Sequence, residues 1–236
     1  MSDAERARRI LDAAADLALR WGYKRVTVEE VAKRAGVGKG TVYLHFESRA
    51  WLFMCVLMRE SLGLLDELAE AIRRDPASVL PAEQARLTYL AVQRRPLLRA
   101  MFSRDTELLG DLADEGAVEP MRGLKADLAN EMFELLRDRG LMRTDLDVDT
   151  QRYLLNAVQT GFYLYRPLSH APEADPEVSG AALAYAVRAA VAPPGEPDPA
   201  ALAEVAPSVL ARCERFRDEL AKAIESRPAR SATTSA

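Results

Sequence analysis

Cysteine and histidine are nearly missing from this 236-residue chain, which holds two of each: Cys55, Cys213, His45 and His170. The cysteines lie far apart without metal-type spacing, so no metal site is expected and each reads as a small buried hydrophobe. Aromatic residues make up only 6% of the chain, and the alternating Val, Ile, Thr and aromatic runs that announce strands are almost absent. No apolar run reaches about 18 residues, so no membrane span is expected. Charges are spread through the first residues with no cleavage pattern after an apolar core, which argues against a secretory signal. A cytoplasmic protein without cofactors is the expectation. The net charge of −4 excludes a wholly basic coat for nucleic acid.

What is present is helical. Ala, Leu, Arg and Glu dominate, and 49% of the residues are apolar, so the composition is that of an all-α protein with a sizeable core. Residues 1–50 carry 10 Lys/Arg against 7 Asp/Glu, whereas the rest carries 22 against 29. A mildly basic head on an acidic body suits a protein whose first segment alone meets phosphate. Helices are expected over 4–21, 49–74, 81–93, 118–139, 148–165 and 177–191, with another running from Pro96 to Leu109 and a polar loop over 110–116. A terminal segment from Pro199 to about Ser226 is expected to break or kink at Pro207. The implied division is a head over 1–48, a helical body over 49–226 and a disordered tail over 227–236.

Thr27 to Phe46, TVEEVAKRAGVGKGTVYLHF, has the densest pattern. Thr27 with Glu30 forms a capping box, and Val28, Val31, Ala32 and Ala35 give the following helix one apolar face. Gly36 ends it in a left-handed turn. A second short helix follows, with Val42 and Phe46 pointing inward. Its outward residues include Lys39, Thr41, Tyr43 and His45, all hydrogen-bond donors, with no acid between Gly38 and Phe46. Gly40 leaves bare backbone near the helix start, where free N–H groups suit a phosphate. Two helices about a glycine turn with such a face form a helix-turn-helix, whose second helix enters the major groove of DNA.

The run GVGKGTVYLHF, and more broadly residues 6–58, resembles the tetracycline-repressor (TetR) family of bacterial transcription regulators. The resemblance implies an all-helical homodimer with three DNA-binding helices, a larger body that takes a small-molecule inducer, and a double-stranded, palindromic DNA operator. It implies phosphate contacts from Thr27, Lys39, Tyr43, His45 and Arg49, with Thr41 and the backbone at Gly40 nearest the base edges. Two positions depart from the family pattern. Gly38 replaces a serine or alanine cap, and Leu44, at an often polar position, either touches a thymine methyl or packs.

In the body, Leu154, Ala157, Val158, Gly161 and Tyr165 form a small-residue stripe. It suits a four-helix dimer bundle made by helices 148–165 and 177–191, through Ala181, Ala182, Tyr185 and Ala189. Another stripe of the same helix, Tyr153, Asn156, Thr160 and Tyr163, has two readings. It lines an inducer pocket with Tyr89, Met101 and Phe102, suited to a mostly apolar molecule, or it is ordinary core and interface. Two further function classes stay open: a helical enzyme using the acidic group Glu107, Asp111, Asp114 and Glu115, and a protein-interaction module without DNA binding.

Overall fold

The computed structural model describes residues 2–110, 112, 119–169 and 174–225. Among these residues the secondary structure is helical throughout, with no strand. α1 (Asp3–Trp21) begins at Ser2, whose hydroxyl accepts from the Glu5 N–H while the Glu5 carboxylate accepts from the Ser2 N–H. A 3₁₀ turn (Tyr23–Arg25) leads to α2 (Val28–Ala35) and α3 (Lys39–His45). Ile10, Leu11, Ala14, Leu17, Val31, Val42 and Phe46 share one buried cluster, so the three helices close over a common core.

α4 (Arg49–Arg74) is the spine of the molecule. Seven consecutive residues, Leu52 to Met58, are buried, as expected of a helix surrounded on all sides. They belong to the head cluster, which also takes in Leu97, Ala100 and Leu109 from the body and Phe216 and Leu220 from the terminal helix. Farther along, Leu64, Leu68 and Ile72 join a second cluster with residues of the body. The head therefore has no core that ends at residue 48.

The body consists of α5 (Pro81–Gln93), α6 (Pro96–Phe102), α7 (Thr106–Leu109), α8 (Glu119–Asp138), α9 (Val148–Ser169), α10 (Pro176–Val191) and α11 (Pro199–Glu225). α10 packs on α5 and α9, and α11 packs along α4. Three expectations are corrected. The helix read from Pro96 to Leu109 is split, because Arg104 takes a left-handed conformation (φ 52°) and the Asp105 carboxylate caps a new helix by accepting from the Glu107 and Leu108 N–H groups. α9 does not stop before Pro167 but runs to Ser169. Of the break or kink expected at Pro207, the break does not occur: α11 is continuous through that residue. A proline removes one backbone hydrogen bond. In α11 the buried row of Leu202, Val205, Val209, Cys213, Phe216 and Leu220 anchors the helix on both sides of it. The acidic positions Asp111, Asp114 and Glu115, His170 and the tail over 227–236 lie outside the described residues.

One polar hub fixes α9 against α10. Gln151 is fully buried; its carbonyl accepts from Arg137, and its amide donates to the Arg143 and Val191 carbonyls. Arg137 also donates to the Arg143 and Leu146 carbonyls, and the Arg143 N–H donates to Val191. Each buried polar group thereby finds a partner.

Head and body meet where two backbones come close. Gly22 has φ 76° and ψ 154°, a region essentially restricted to glycine. A Cβ placed there would lie 2.7 Å from the Glu107 carbonyl oxygen of α7. Across the same seam, a Cβ on Gly110 would lie 2.8 Å from Lys24 Cγ and 3.1 Å from Tyr23 Cδ1. Gly140 also has a positive φ, of 67°, but open space around it. Gly140→Ala is therefore expected to cost about 1 kcal/mol from strain alone, and Gly22→Ala at least about 2 kcal/mol. Chemical denaturation of both variants checks this; equal losses would mean that the seam contributes nothing.

Candidate nucleic-acid interface

The geometry of the head follows from its caps. The Thr27 hydroxyl accepts from the Glu30 N–H at 3.3 Å, and the Glu30 carboxylate accepts from the Thr27 N–H at 2.8 Å. At the other end of α2, Gly36 is left-handed (φ 65°, ψ 41°), and the Val37 N–H donates back to the Ala32 carbonyl. Arg9, one of the arginines crowded at the start of α1, donates to the Ala35 carbonyl and so closes the C-terminus of α2. That places a cation at the negative end of a helix. Arg6 pairs with Asp3.

α3 has seven residues and no side-chain cap, since its N-cap is Gly38. A helix this short does not hold itself together in water. It is held by Val42 and by Phe46 just beyond its end, exposed to 1% and 2%. The opposite side faces solvent: Tyr43 is 47% and Leu44 59% exposed, and nothing lies within 4 Å of a Cβ built on Gly40. Thr41 is half-buried.

Besides Thr27, bonded to Glu30 in its capping box, three more of the expected contact residues already have partners in the head. Lys39 Nζ is ion-paired with the Glu29 carboxylate, and both side chains are about half exposed. The hydrogen bond from Lys39 holds the Glu29 carboxyl below its ordinary value and raises the Lys39 ammonium above its own, so both groups are charged at neutral pH. Arg49 lies over the Tyr23 ring at 3.9 Å and donates to the Val26 carbonyl at 3.0 Å. Tyr23 is buried edge-on against Phe53, so the guanidinium rests on a fixed platform and presents a planar cation. His45 departs from the outward row. Its side chain is only 9% exposed and its Nε2 lies 3.6 Å from an Asp3 oxygen at the start of α1. Thr27 and, beside it, Arg25 are exposed.

Sequence reasoning missed Glu29, Tyr23 and Arg25. Glu29 stands ten residues from its lysine and Tyr23 twenty-six from its arginine, distances that no helical period links. Arg25 falls in the 3₁₀ turn, outside both helices of the motif.

In the body, the seven residues read as one pocket are divided. Tyr89, Phe102 and Tyr163 meet, with ring centroids 5.5 Å (Tyr89–Tyr163) and 4.6 Å (Phe102–Tyr163) apart. Burial pushes the Tyr163 phenol above its ordinary value, and the neighbouring Tyr89 adds to the shift. Met101 packs against both hydrophobic clusters. Asn156 and Thr160 instead lie on the exposed side of α9, in an open groove with Tyr153, Ala157, Gly161 and Leu168. Tyr153, Tyr165 and Leu168 on α9, with Val178 and Tyr185 on α10, are the body's most exposed large apolar residues, at 64–77%. Ala181, Ala182 and Ala189 are exposed beside them, whereas Leu154 and Val158 are half-buried. Burial alone pushes the Cys55 thiol up to about 12, and burial with the adjacent Glu214 pushes Cys213 up to about 11, so neither is a thiolate at neutral pH. Among the described residues, no three His, Cys, Asp or Glu side chains are placed to hold a metal ion, and no helix is long and apolar enough to cross a membrane.

Comparison with known proteins matches this geometry. Residues 10–54, α1 through the first turns of α4, match the family described as "Bacterial regulatory proteins, tetR family". The transcriptional repressor KstR of Rhodococcus jostii is 36% identical over 104 residues, 42% of this chain and 47% of that protein. The repressor BepR of Brucella suis is 25% identical over 167 residues, 67% of this chain and 79% of that protein. The chain thus spans about half the length of the first relative and about four fifths of the second. A solved structure from Mesorhizobium loti, assigned to the TetR family of transcriptional regulators, superposes with a TM-score of 0.54 at 21% identity, over 82% of this chain and 100% of its own. That likeness extends the agreement in fold from the head into the body. Over residues 10–54 the chain carries the regulatory domain of the tetR family.

Proposed function

We propose that this protein is a cytoplasmic, homodimeric repressor that holds a palindromic DNA operator through its head and releases it when a mostly apolar small molecule enters the body. The observation that carries the reading is α3: a short helix seated by Val42 and Phe46, with Thr41, Tyr43 and Leu44 on its outer side, Lys39 exposed in its ion pair with Glu29, and no acid within the helix. Arg49 and Thr27, with Arg25 added, supply phosphate contacts around it, which set the register of a protein on DNA. Lys39 exchanges Glu29 for a phosphate as it binds. The relatives KstR and BepR, both repressors by name, favour repression.

The exposed apolar faces of α9 and α10 support a dimer. Tyr165 and Tyr185 with the small residues Ala157, Gly161, Ala181 and Ala182 allow helices of two chains to approach closely. In this reading Asn156 and Thr160 belong to the dimer face, and the inducer site centres on Tyr89, Met101, Phe102 and Tyr163. From Phe102 the chain reaches Glu107 in five residues, through the left-handed Arg104 and the Asp105 cap, and Glu107 meets Gly22 at the seam. A ligand that displaces Phe102 shifts α7 against Gly22 and Tyr23, and Tyr23 carries Arg49. Such a ligand moves the head only if it binds the two arrangements with different affinity.

Fluorescence anisotropy with the protein's own upstream DNA tests the reading. Binding is expected to be sequence-selective and to weaken steeply with salt as counterions are released. Tyr43→Ala should weaken it roughly tenfold with unchanged thermal stability, since its ring lies outside the core. Glu29→Gln should tighten it a few-fold by freeing Lys39 at neutral pH. Salt-insensitive, non-selective binding would refute the proposal.

A further inference from the structure

The structure gives the recognition helix an apolar centre. At about 100° per residue, taking buried Val42 as the inward direction, Gly40 and Leu44 fall at about 160° and about 200° around α3. They form its outermost line, four residues apart and one above the other. Tyr43 and Lys39 lie on one flank, about 100° and 60° from the core direction, and Thr41 lies about 100° away on the other. His45, about 60° from the core on that second flank, is folded against the start of α1. Donors therefore occupy the sides of the helix, where phosphate walls stand in a groove. The line that meets the groove floor carries no donor or acceptor side chain.

Gly40 contributes to that line by having no side chain. Nothing lies within 4 Å of a Cβ built there, so a larger residue would be accommodated in the free protein; glycine instead lets the helix backbone come closer to the bases. Leu44, 59% exposed, is then the one side chain that projects from the centre. Its exposure removes the alternative that it is a packing residue of the head.

Resting on the DNA-binding reading above, we infer that Leu44 determines operator specificity by packing its isobutyl group on the C5-methyl of a thymine in the major groove. The thymine methyl is the one apolar group that the four base pairs present there. Over guanine, adenine or cytosine, the same leucine would cover donors or acceptors and return no hydrogen bond, which is costly. The selectivity thus comes from both an attraction to the methyl and a penalty at every other base.

The experiment uses the full chain. Duplexes are first selected from a random pool, and each thymine of the selected site is then replaced singly by deoxyuridine, which removes the C5-methyl and leaves the pairing edge intact. At one thymine per half-site the wild type is expected to lose roughly threefold to tenfold in affinity, the scale of one buried methyl in a packed contact. Leu44→Ala should bind the thymine and deoxyuridine sites equally, Leu44→Met should retain the preference, and Tyr43→Ala should bind both more weakly with the preference intact. Because Leu44 and Tyr43 are both exposed, all three variants are expected to melt with the wild type. Indifference of the wild type to every replacement, or the same sensitivity in Leu44→Ala, overturns the inference while leaving DNA binding standing. Failure to select any sequence overturns the DNA-binding reading itself, and this inference with it.

Discussion

The seating of α3 by Val42 and Phe46 is the constraint on which the head's chemistry rests. Seven residues with a glycine N-cap do not form a stable helix alone, so its orientation is whatever its buried side chains dictate. Val42 and Phe46 are nearly inaccessible and share a cluster with Leu17, Val31 and Leu52. Once they are fixed, the position of every other α3 residue follows from helical geometry: donors on the flanks, Gly40 and Leu44 outermost. The cap at Thr27, the left-handed Gly36 and the Arg9 bond to Ala35 all serve the same end, because they hold α2 at the angle that receives α3.

That seat is not independent of the body. α4 contributes Leu52 to Met58 to the head core and Leu64, Leu68 and Ile72 to the body core, so one rigid helix belongs to both. A second connection runs through the seam at Gly22 and Gly110, where α7 touches the turn that carries Tyr23 and, above it, Arg49. Met101 packs on both clusters. A change at the Tyr89–Phe102–Tyr163 group thus has two physical routes to the head, one along α4 and one through α7, while the Gln151 hub keeps α9 and α10 in fixed register.

The head was legible in the sequence because its determinants are local. A capping box, a glycine at a left-handed turn and an i, i+4 apolar pair are all read within twenty residues, and each recurs in the structure. The prolines misled for the opposite reason. Pro207 removes one hydrogen bond, but the helix around it is held by a buried row that only tertiary packing reveals. The α9 stripe mixed two environments because residues at spacings of three and four cover an arc of about 80°, and the boundary between core and surface cuts across it. Tyr163 falls on the inner side, and Asn156 and Thr160 on the outer. His45 has outward spacing by residue type alone, yet its helical angle brings it back toward α1. The Arg137–Gln151 hub reaches Val191, 40 residues beyond Gln151, and no local pattern marks it.

Footprinting of the full chain on its selected DNA with hydroxyl radicals measures the central claim most directly, since it reports which backbone positions the heads cover. A dimer joined by α9 and α10, with each α3 in a major groove, predicts two symmetry-related protected patches on one face of the duplex. Their centres should lie about one helical turn (roughly 34–36 Å) or a whole multiple apart, at two chains per site. A single unpaired patch at one chain per site, or uniform protection without boundaries, would contradict the account.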